Sequence, residues 1–171
     1  MTSLQSQVSA QNAKINEATT RFETLERQQQ EKQKAEARRK DFETLQSTLT
    51  AIVNIKPNGN GFIATLPDNF FVTNQTALAL RVKAKIDALG QVLSAHPEVI
   101  FTIEGHSDTR PTADEFALGR AQAVADYIAA IGVSRTNFKV EARGASMPVS
   151  NAKTVTAKTQ NRRVELVFVA P

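Results

Sequence analysis

The chain has 171 residues, a length that suits one domain of roughly 100 to 150 residues with an additional segment. Its 41% hydrophobic and 22% charged residues indicate a globular class and exclude a wholly disordered chain. No apolar run approaches the roughly 18 to 20 residues that cross a bilayer, and the first ten residues lack the basic and apolar parts of a secretory leader. We therefore expect no membrane span within this chain and a leader that is absent or already removed.

The distribution of charged residues argues against a nucleic-acid partner. The formal charge is +4, but residues 1–50 hold eight Lys or Arg against seven Asp or Glu, and the remainder holds thirteen against ten. One Tyr and no Trp leave few side chains on which bases stack. We therefore expect a mixed-charge, solvated surface. Because the chain has no Cys and only two His, we also expect no disulfide, no metal site and no cofactor.

Composition divides the chain near residue 50, because every Gly and Pro lies at residue 57 or later. We predict a helical stalk or coiled-coil-like linker over residues 1–50 and a folded domain over residues 51–171. Heptad spacing of apolar residues favours helix in the stalk, with Gln11 as an interruption: Val8, Ile15, Ala18, Phe22 and Leu25. After a polar stretch, apolar spacing resumes at Phe42, Leu45, Leu49 and Ile52. Weak self-association, docking of the last turns on the folded domain, and a solvated helix all fit this pattern.

Four strands and two helices are predicted after the stalk. In chain order they are a strand at 62–66, a helix at 76–95, a strand at 99–104, a helix at 114–131, and strands at 138–143 and 162–169, with a long loop at 144–160. The second helix is expected to bury Leu118, Ala121, Ala125 and Ile128. The order β-α-β-α-β-β indicates an α/β (α+β) fold. It predicts a two-layer sandwich in which both helices cover one sheet face, preceded by the long N-terminal helical stalk.

Several sequence motifs resemble those of the peptidoglycan-binding OmpA C-terminal domain family. They are LPDNFF from Leu66, EGHSD from Glu104, RAQAVADYI from Arg120, RG from Arg143 and NRRVEL from Asn161. The resemblance covers about residues 60–169. It implies a noncatalytic domain that binds the peptide stem of peptidoglycan and anchors an envelope protein to the cell wall. It also implies the periplasm of a Gram-negative bacterium, with membrane association through a segment outside this sequence.

The same resemblance implies a ligand-binding site formed by Asp108, Arg120, Arg162 and Thr109. In the family, the aspartate and the helix arginine bind the amino-acid end of the diaminopimelate side chain, where one carbon carries an ammonium group and a carboxylate. An acceptor-only carboxylate and a planar guanidinium donor suit that zwitterion. Strand alternation sends Arg162 and Arg163 to opposite faces, so at most one of them reaches the site. The alternative interpretation of Asp108 and Arg120 is a surface salt bridge.

Two other functional classes are suggested by parts of the sequence. An enzyme would start from the adjacent residues His106, Ser107 and Asp108, but triad side chains must converge, whereas consecutive residues point in diverging directions. We therefore expect no catalytic activity. The stronger alternative is a scaffold or stator-like assembly protein, in which the stalk associates with partners and the folded domain mainly mediates protein contacts.

Overall fold

A single long helix opens the chain in the computed structural model, which describes residues 2–108 and 113–171. This helix, α1, spans Thr2–Thr50. Its sequence is rich in Gln, Glu, Lys, Arg and Ala, which have high helix propensity, and it holds no Gly or Pro. The chain divides into two compact units, Met1–Lys40 and Asp41–Pro171. Residues 41–50 therefore belong to the second unit, where Phe42, Leu45 and Leu49 are buried.

The second unit is built on a five-stranded sheet. Its strands are β1 Asn54–Asn58, β2 Gly61–Pro67, β3 Phe101–His106, β4 Phe138–Gly144 and β5 Arg163–Phe168. They lie in the order β1-β2-β5-β3-β4, so that β5 occupies the centre of the sheet. Only β3 and β4 pair in parallel among the described strands. Gly59, with a φ of 58°, allows the tight turn between β1 and β2.

Three further α-helices lie in the part of the unit that the structure describes: α2 Lys83–Ser94, α3 Ala113–Ile131 and α4 Val155–Asn161. The buried core combines side chains from the helices and from one sheet face, including Leu45, Phe62, Ile86, Leu89, Ile103, Val124, Ile128, Leu166 and Phe168. Gly105 allows α3 to approach β3 closely, because a Cβ there would collide with the backbone carbonyl of Ala117. The mixed α/β fold class predicted from the sequence is confirmed.

Two short elements were not predicted. Residues 54–58 form the edge strand β1, although the Pro and Gly cluster favoured a turn over residues 57–61; Pro57 is tolerated because an edge strand leaves one side unpaired. Within the predicted loop 144–160, α4 begins where the Thr154 hydroxyl accepts a hydrogen bond from the Ala157 backbone N–H at 3.2 Å. Both elements are too short to produce a clear periodicity.

The two predicted helices differ from expectation in detail. Regular helix in α2 starts at Lys83 rather than at residue 76, because residues 71–79 fold back on themselves through a bridge between Phe71 and Leu78. In α3, Leu118 is exposed, which corrects the prediction that it is buried. Apart from Arg120, the buried residues of that helix are small or branched and permit close approach to the sheet: Ala117, Ala121, Val124, Ala125 and Ile128.

Candidate functional site

Three strand ends meet where the charged residues of the candidate site lie. Asp68 directly follows β2, Asp108 lies two residues after the end of β3, and Arg162 directly precedes β5. Since β5 is antiparallel to both neighbours, the last residues of β2 and β3 pair with its first residue: Pro67 and His106 both oppose Arg163. The topology therefore brings together residues that are far apart in the sequence.

Arg162 links the two aspartates. Its Nη1 donates to Asp108 Oδ2 at 2.9 Å, while Nε and Nη2 donate to Asp68 Oδ1 and Oδ2 at 3.1 and 3.0 Å. The contact with Asp68 is thus a bidentate guanidinium–carboxylate pair, the geometry that makes such hydrogen bonds strong and directional. Thr159 Oγ1 accepts a further bond from Arg162 Nη2 at 3.0 Å, which holds the guanidinium plane in place.

Arg120, on the second turn of α3, reaches the same carboxylate from the core side. Its Nη1 donates to Asp68 Oδ1 at 2.6 Å, and its Nε donates to the carbonyl oxygen of Gln75 at 3.0 Å. Its guanidinium carbon lies 4.5 and 4.4 Å from the ring centroids of Phe71 and Phe116. Cation–π attraction and ion pairing together compensate for burying this charge.

We call Asp68, Asp108, Arg120 and Arg162 the end cluster; its two carboxylates and two guanidinium groups have a formal charge of zero. Burial would raise the pKa of Asp68, but hydrogen bonds from Arg162 and Arg120 outweigh it and hold that pKa below its ordinary value. The hydrogen bond to Asp68 raises the pKa of Arg162, although partial burial opposes this. Asp68 and Arg162 therefore stay charged at neutral pH.

The side chains of the end cluster differ in their exposure to solvent. The side chains of Asp68 and Arg162 are 20% and 15% exposed, Asp108 is 9% exposed, and Arg120 is 1% exposed. A molecule arriving from solvent therefore meets Arg162 and the two aspartates first. Arg120 lies behind them and orients Asp68.

Of the four residues assigned from the sequence, three lie in the end cluster: Asp108, Arg120 and Arg162. Asp108 and Arg120 are connected through Arg162 and Asp68. Thr109 lies outside the described residues. Sequence reasoning did not assign Asp68, although the LPDNFF motif that contains it was recognised; its position directly after a strand was the available signal.

Arg163 points away from the end cluster into another group of charged side chains, which we call the face cluster: Glu104, His106, Glu165, Arg143 and Arg163. His106 Nε2 lies 3.3 Å from Glu165 Oε2 and 3.7 Å from Glu104 Oε2. Arg163 Nε and Arg143 Nη2 donate to the other carboxylate oxygens, Glu165 Oε1 at 2.6 Å and Glu104 Oε1 at 2.5 Å.

The face cluster is an ion-pair network in which Arg143 is 40% exposed and the other four side chains are largely buried. Burial would raise the pKa of Glu165, but hydrogen bonds from His106 and Arg163 lower it to about 2. Glu104, His106 and Glu165 offer potential metal ligands within 4.8 Å of one another, so these are the residues that could hold a cation. An arginine already binds one oxygen of each carboxylate, so the charges of Glu104 and Glu165 are compensated within the cluster.

The adjacent residues His106, Ser107 and Asp108 do not form a relay. His106 contacts the glutamates of the face cluster, whereas Asp108 pairs with Arg162 in the end cluster. A triad would require the aspartate to orient the imidazole and the imidazole to contact the hydroxyl.

None of the helices in residues 2–108 and 113–171 combines the length and apolar character needed to cross a membrane.

Comparison with known proteins agrees with the fold. The chain is 35% identical over 102 residues to the peptidoglycan-associated lipoprotein of Rhizobium meliloti (strain 1021), a match that covers 58% of each protein. The chain thus spans about three fifths of the length of this curated relative.

Solved structures with the same fold include a putative MotB-like protein from Desulfovibrio vulgaris. The TM-score is 0.68 at 17% identity, covering 80% of this chain and 93% of that one. The cell wall anchor of the T6SS from Pseudomonas aeruginosa gives a TM-score of 0.62 at 23% identity, covering 71% and 90%. The sequence model of the OmpA family matches residues 70–162, more than half of the chain and a range that includes Asp108, Arg120 and Arg162. The chain therefore belongs to the OmpA family.

Proposed function

We propose that residues 41–171 bind peptidoglycan noncovalently, without catalysis, and so anchor an envelope protein to the cell wall. The observation that carries this proposal is the end cluster, in which Arg162 and two aspartates alternate in charge at a partly exposed edge of the sheet. Membership of the OmpA family and similarity to a peptidoglycan-associated lipoprotein support it. The periplasm of a Gram-negative bacterium is the proposed location.

The proposed ligand group is the free amino-acid end of diaminopimelate in the stem peptide. Its carboxylate would accept hydrogen bonds from Arg162, and its ammonium group would donate to Asp108 and Asp68. Because both the end cluster and the ligand end are formally neutral, binding exchanges ion pairs without leaving a buried charge uncompensated. Arg120 would act mainly by holding Asp68 in position, since its own side chain is almost fully covered.

Sedimentation with purified sacculi tests this site. The variant Asp108→Asn preserves the side-chain size but removes the charge. We expect its affinity for sacculi to fall roughly 30-fold or more, because losing one partner of a desolvated charge pair costs about 2 to 5 kcal/mol. Free meso-diaminopimelate should also displace the parent chain from sacculi.

A matched control is Asp126→Asn, which makes the same change in an exposed ion pair with Arg135 on the surface of α3. This variant should bind sacculi like the parent chain. Equal binding by Asp108→Asn and the parent chain, with unchanged circular dichroism, would reject the site assignment.

A second function is favoured by one observation on α1. Before residue 40, this helix exposes apolar side chains at spacings of three, four and seven residues: Leu4, Val8, Ile15, Phe22 and Leu25. We propose that two copies of the chain associate along this seam, so that the protein also serves as an assembly scaffold. The polar residues 26–40 predict a weak association.

Light scattering at increasing protein concentration tests the association. The double variant Ile15→Gln and Phe22→Gln should lower the average mass of any associated species toward that of a monomer, because it places polar amides in the seam. The control variant Asn16→Gln and Thr20→Gln alters the opposite side of the helix and should behave like the parent chain. A parent chain that stays monomeric at high concentration would contradict the proposal.

A further inference from the structure

A cavity of about 360 Å³ adjoins the end cluster on the side of Asp108. Its wall includes Ser107, Asp108, Ser150, Lys153, Lys158 and Asn161. The volume is within the range of about 300 to 1,000 Å³ that small-molecule sites occupy. Arg162, the residue after Asn161, bonds to Asp108, so the cavity and the end cluster share a boundary.

The wall of this cavity is held in place by Asn161. Its Oδ1 accepts hydrogen bonds from the backbone N–H groups of Val149 and Ser150 at 2.9 and 3.1 Å, and its Nδ2 donates to the carbonyl oxygen of Ser150 at 2.8 Å. The Asn161 side chain is buried, and these bonds use its carbonyl oxygen twice and one of its two N–H donors. The loop between β4 and α4 is therefore fixed to the end of α4, and the cavity is preformed.

The polar groups around the cavity suit an anion. Lys153 and Lys158 are exposed, and neither makes an ion pair with the rest of the described chain. Ser107 is 2% exposed, and its Oγ has no hydrogen-bond partner among the described residues, so its hydroxyl can donate. The negative charge of Asp108 is matched by Arg162 at 2.9 Å and does not oppose a second anion nearby.

We propose that this cavity binds a second carboxylate of the same stem peptide whose zwitterionic end occupies the end cluster. The inference rests on the proposed function and adds to it a preference for peptides with that carboxylate free over peptides with it amidated. A carboxylate in the cavity gains two ammonium partners and a hydroxyl donor. A neutral carboxamide there keeps the hydroxyl contact but forms no ion pair with the lysines.

Isothermal titration calorimetry on the full chain tests the proposal with four probes. They are free meso-diaminopimelate, the tripeptide L-Ala-γ-D-Glu-meso-diaminopimelate, and two forms of the tripeptide, one amidated at the D-Glu α-carboxylate and one at the carboxylate of the L-centre of diaminopimelate. We expect one amidated form to bind about tenfold more weakly than the tripeptide, since it loses a charge-assisted contact. Which form weakens identifies the carboxylate that occupies the cavity.

Two double variants complete the experiment. Lys153→Gln with Lys158→Gln should remove the difference between the free and amidated tripeptides. Lys83→Gln with Lys85→Gln makes the same change in net charge at exposed positions of α2 and should preserve the difference. If Lys153→Gln with Lys158→Gln still binds the free tripeptide better than the amidated form, the cavity does not distinguish the two peptides. The same conclusion follows if both double variants lose this preference.

The outcomes separate the two proposals. Equal affinity of the parent chain for all three peptides, together with measurable binding of meso-diaminopimelate, overturns the cavity inference and leaves the end cluster as the site. Failure of the parent chain to bind any of the four probes overturns both.

Discussion

The end cluster and the face cluster both pair carboxylates with arginines, but the end cluster lies at strand ends and on α3, whereas the face cluster lies on β3, β4 and β5. Arg162 forms ion pairs in the end cluster and Arg163 forms one in the face cluster, because adjacent residues at the start of β5 point to different sides. The face cluster surrounds a histidine that is 1% exposed, whereas the end cluster presents Asp68 and Arg162 to solvent beside a cavity. Similar ion pairs can therefore stabilise the fold in one place and remain accessible to a ligand in another.

The largest effect is expected when the buried guanidinium of the end cluster is removed. Arg120→Met should lower the free energy of unfolding by about 3 to 5 kcal/mol, because Asp68 loses its most buried partner. Urea denaturation measures this. The control Arg135→Met removes an arginine from an exposed pair and should leave the urea midpoint nearly unchanged. A small effect of Arg120→Met would mean that Arg162 alone compensates the Asp68 charge.

A smaller but more diagnostic effect is expected in binding. Asp68→Asn should weaken sedimentation with sacculi roughly tenfold, because a neutral amide replaces the carboxylate proposed to receive the ligand ammonium group. Glu104→Gln, the corresponding neutralisation in the face cluster, should leave sacculus binding unchanged. If the two variants weaken binding equally, the distinction between the clusters is wrong. Circular dichroism on both variants checks that each is folded.

The smallest effect is one of pH on stability. The pKa of Glu165 is about 2 in the folded chain and near its ordinary value of 4.5 when unfolded, so the unfolded state binds the proton first as pH falls. Its stabilising contribution is complete above about pH 5 and decreases as pH falls toward 2. Thermal denaturation of Glu165→Gln should therefore show a shallower loss of stability over this range than the parent chain. If stability falls equally with pH in the variant and in the parent chain, the stabilising role assigned to the Glu165 carboxylate is wrong.

The motifs predict part of the end cluster, and long-range geometry supplies the rest. Asp108 and Arg120 follow from the EGHSD and RAQAVADYI motifs. The role of Asp68 depends on bonds to Arg120 and Arg162 that span 52 and 94 residues, and local periodicity carries no information about such contacts. The relation becomes visible only when the strand order places β5 between β2 and β3.

The prediction of helices and strands shows the same contrast between local sequence signals and long-range contacts. The buried face of α2 is anticipated because Ile86, Leu89 and Leu93 repeat at helical spacing over several turns. The five residues of β1 contain Pro57 and two asparagines, a composition that favours a turn unless the partner strand is known. Short elements of this kind depend on their neighbours in the fold more than on their own sequence.

The position of Arg162 has a mechanical consequence. This residue precedes β5, which lies at the centre of the sheet with an antiparallel neighbour on each side. Tension applied to a tether held at Arg162 would pull β5 lengthwise, so that the hydrogen bonds to β2 and β3 resist together in shear. A tether fastened to an edge strand would instead separate those bonds one after another, so attachment at Arg162 would let the domain withstand a larger force than attachment at its edge.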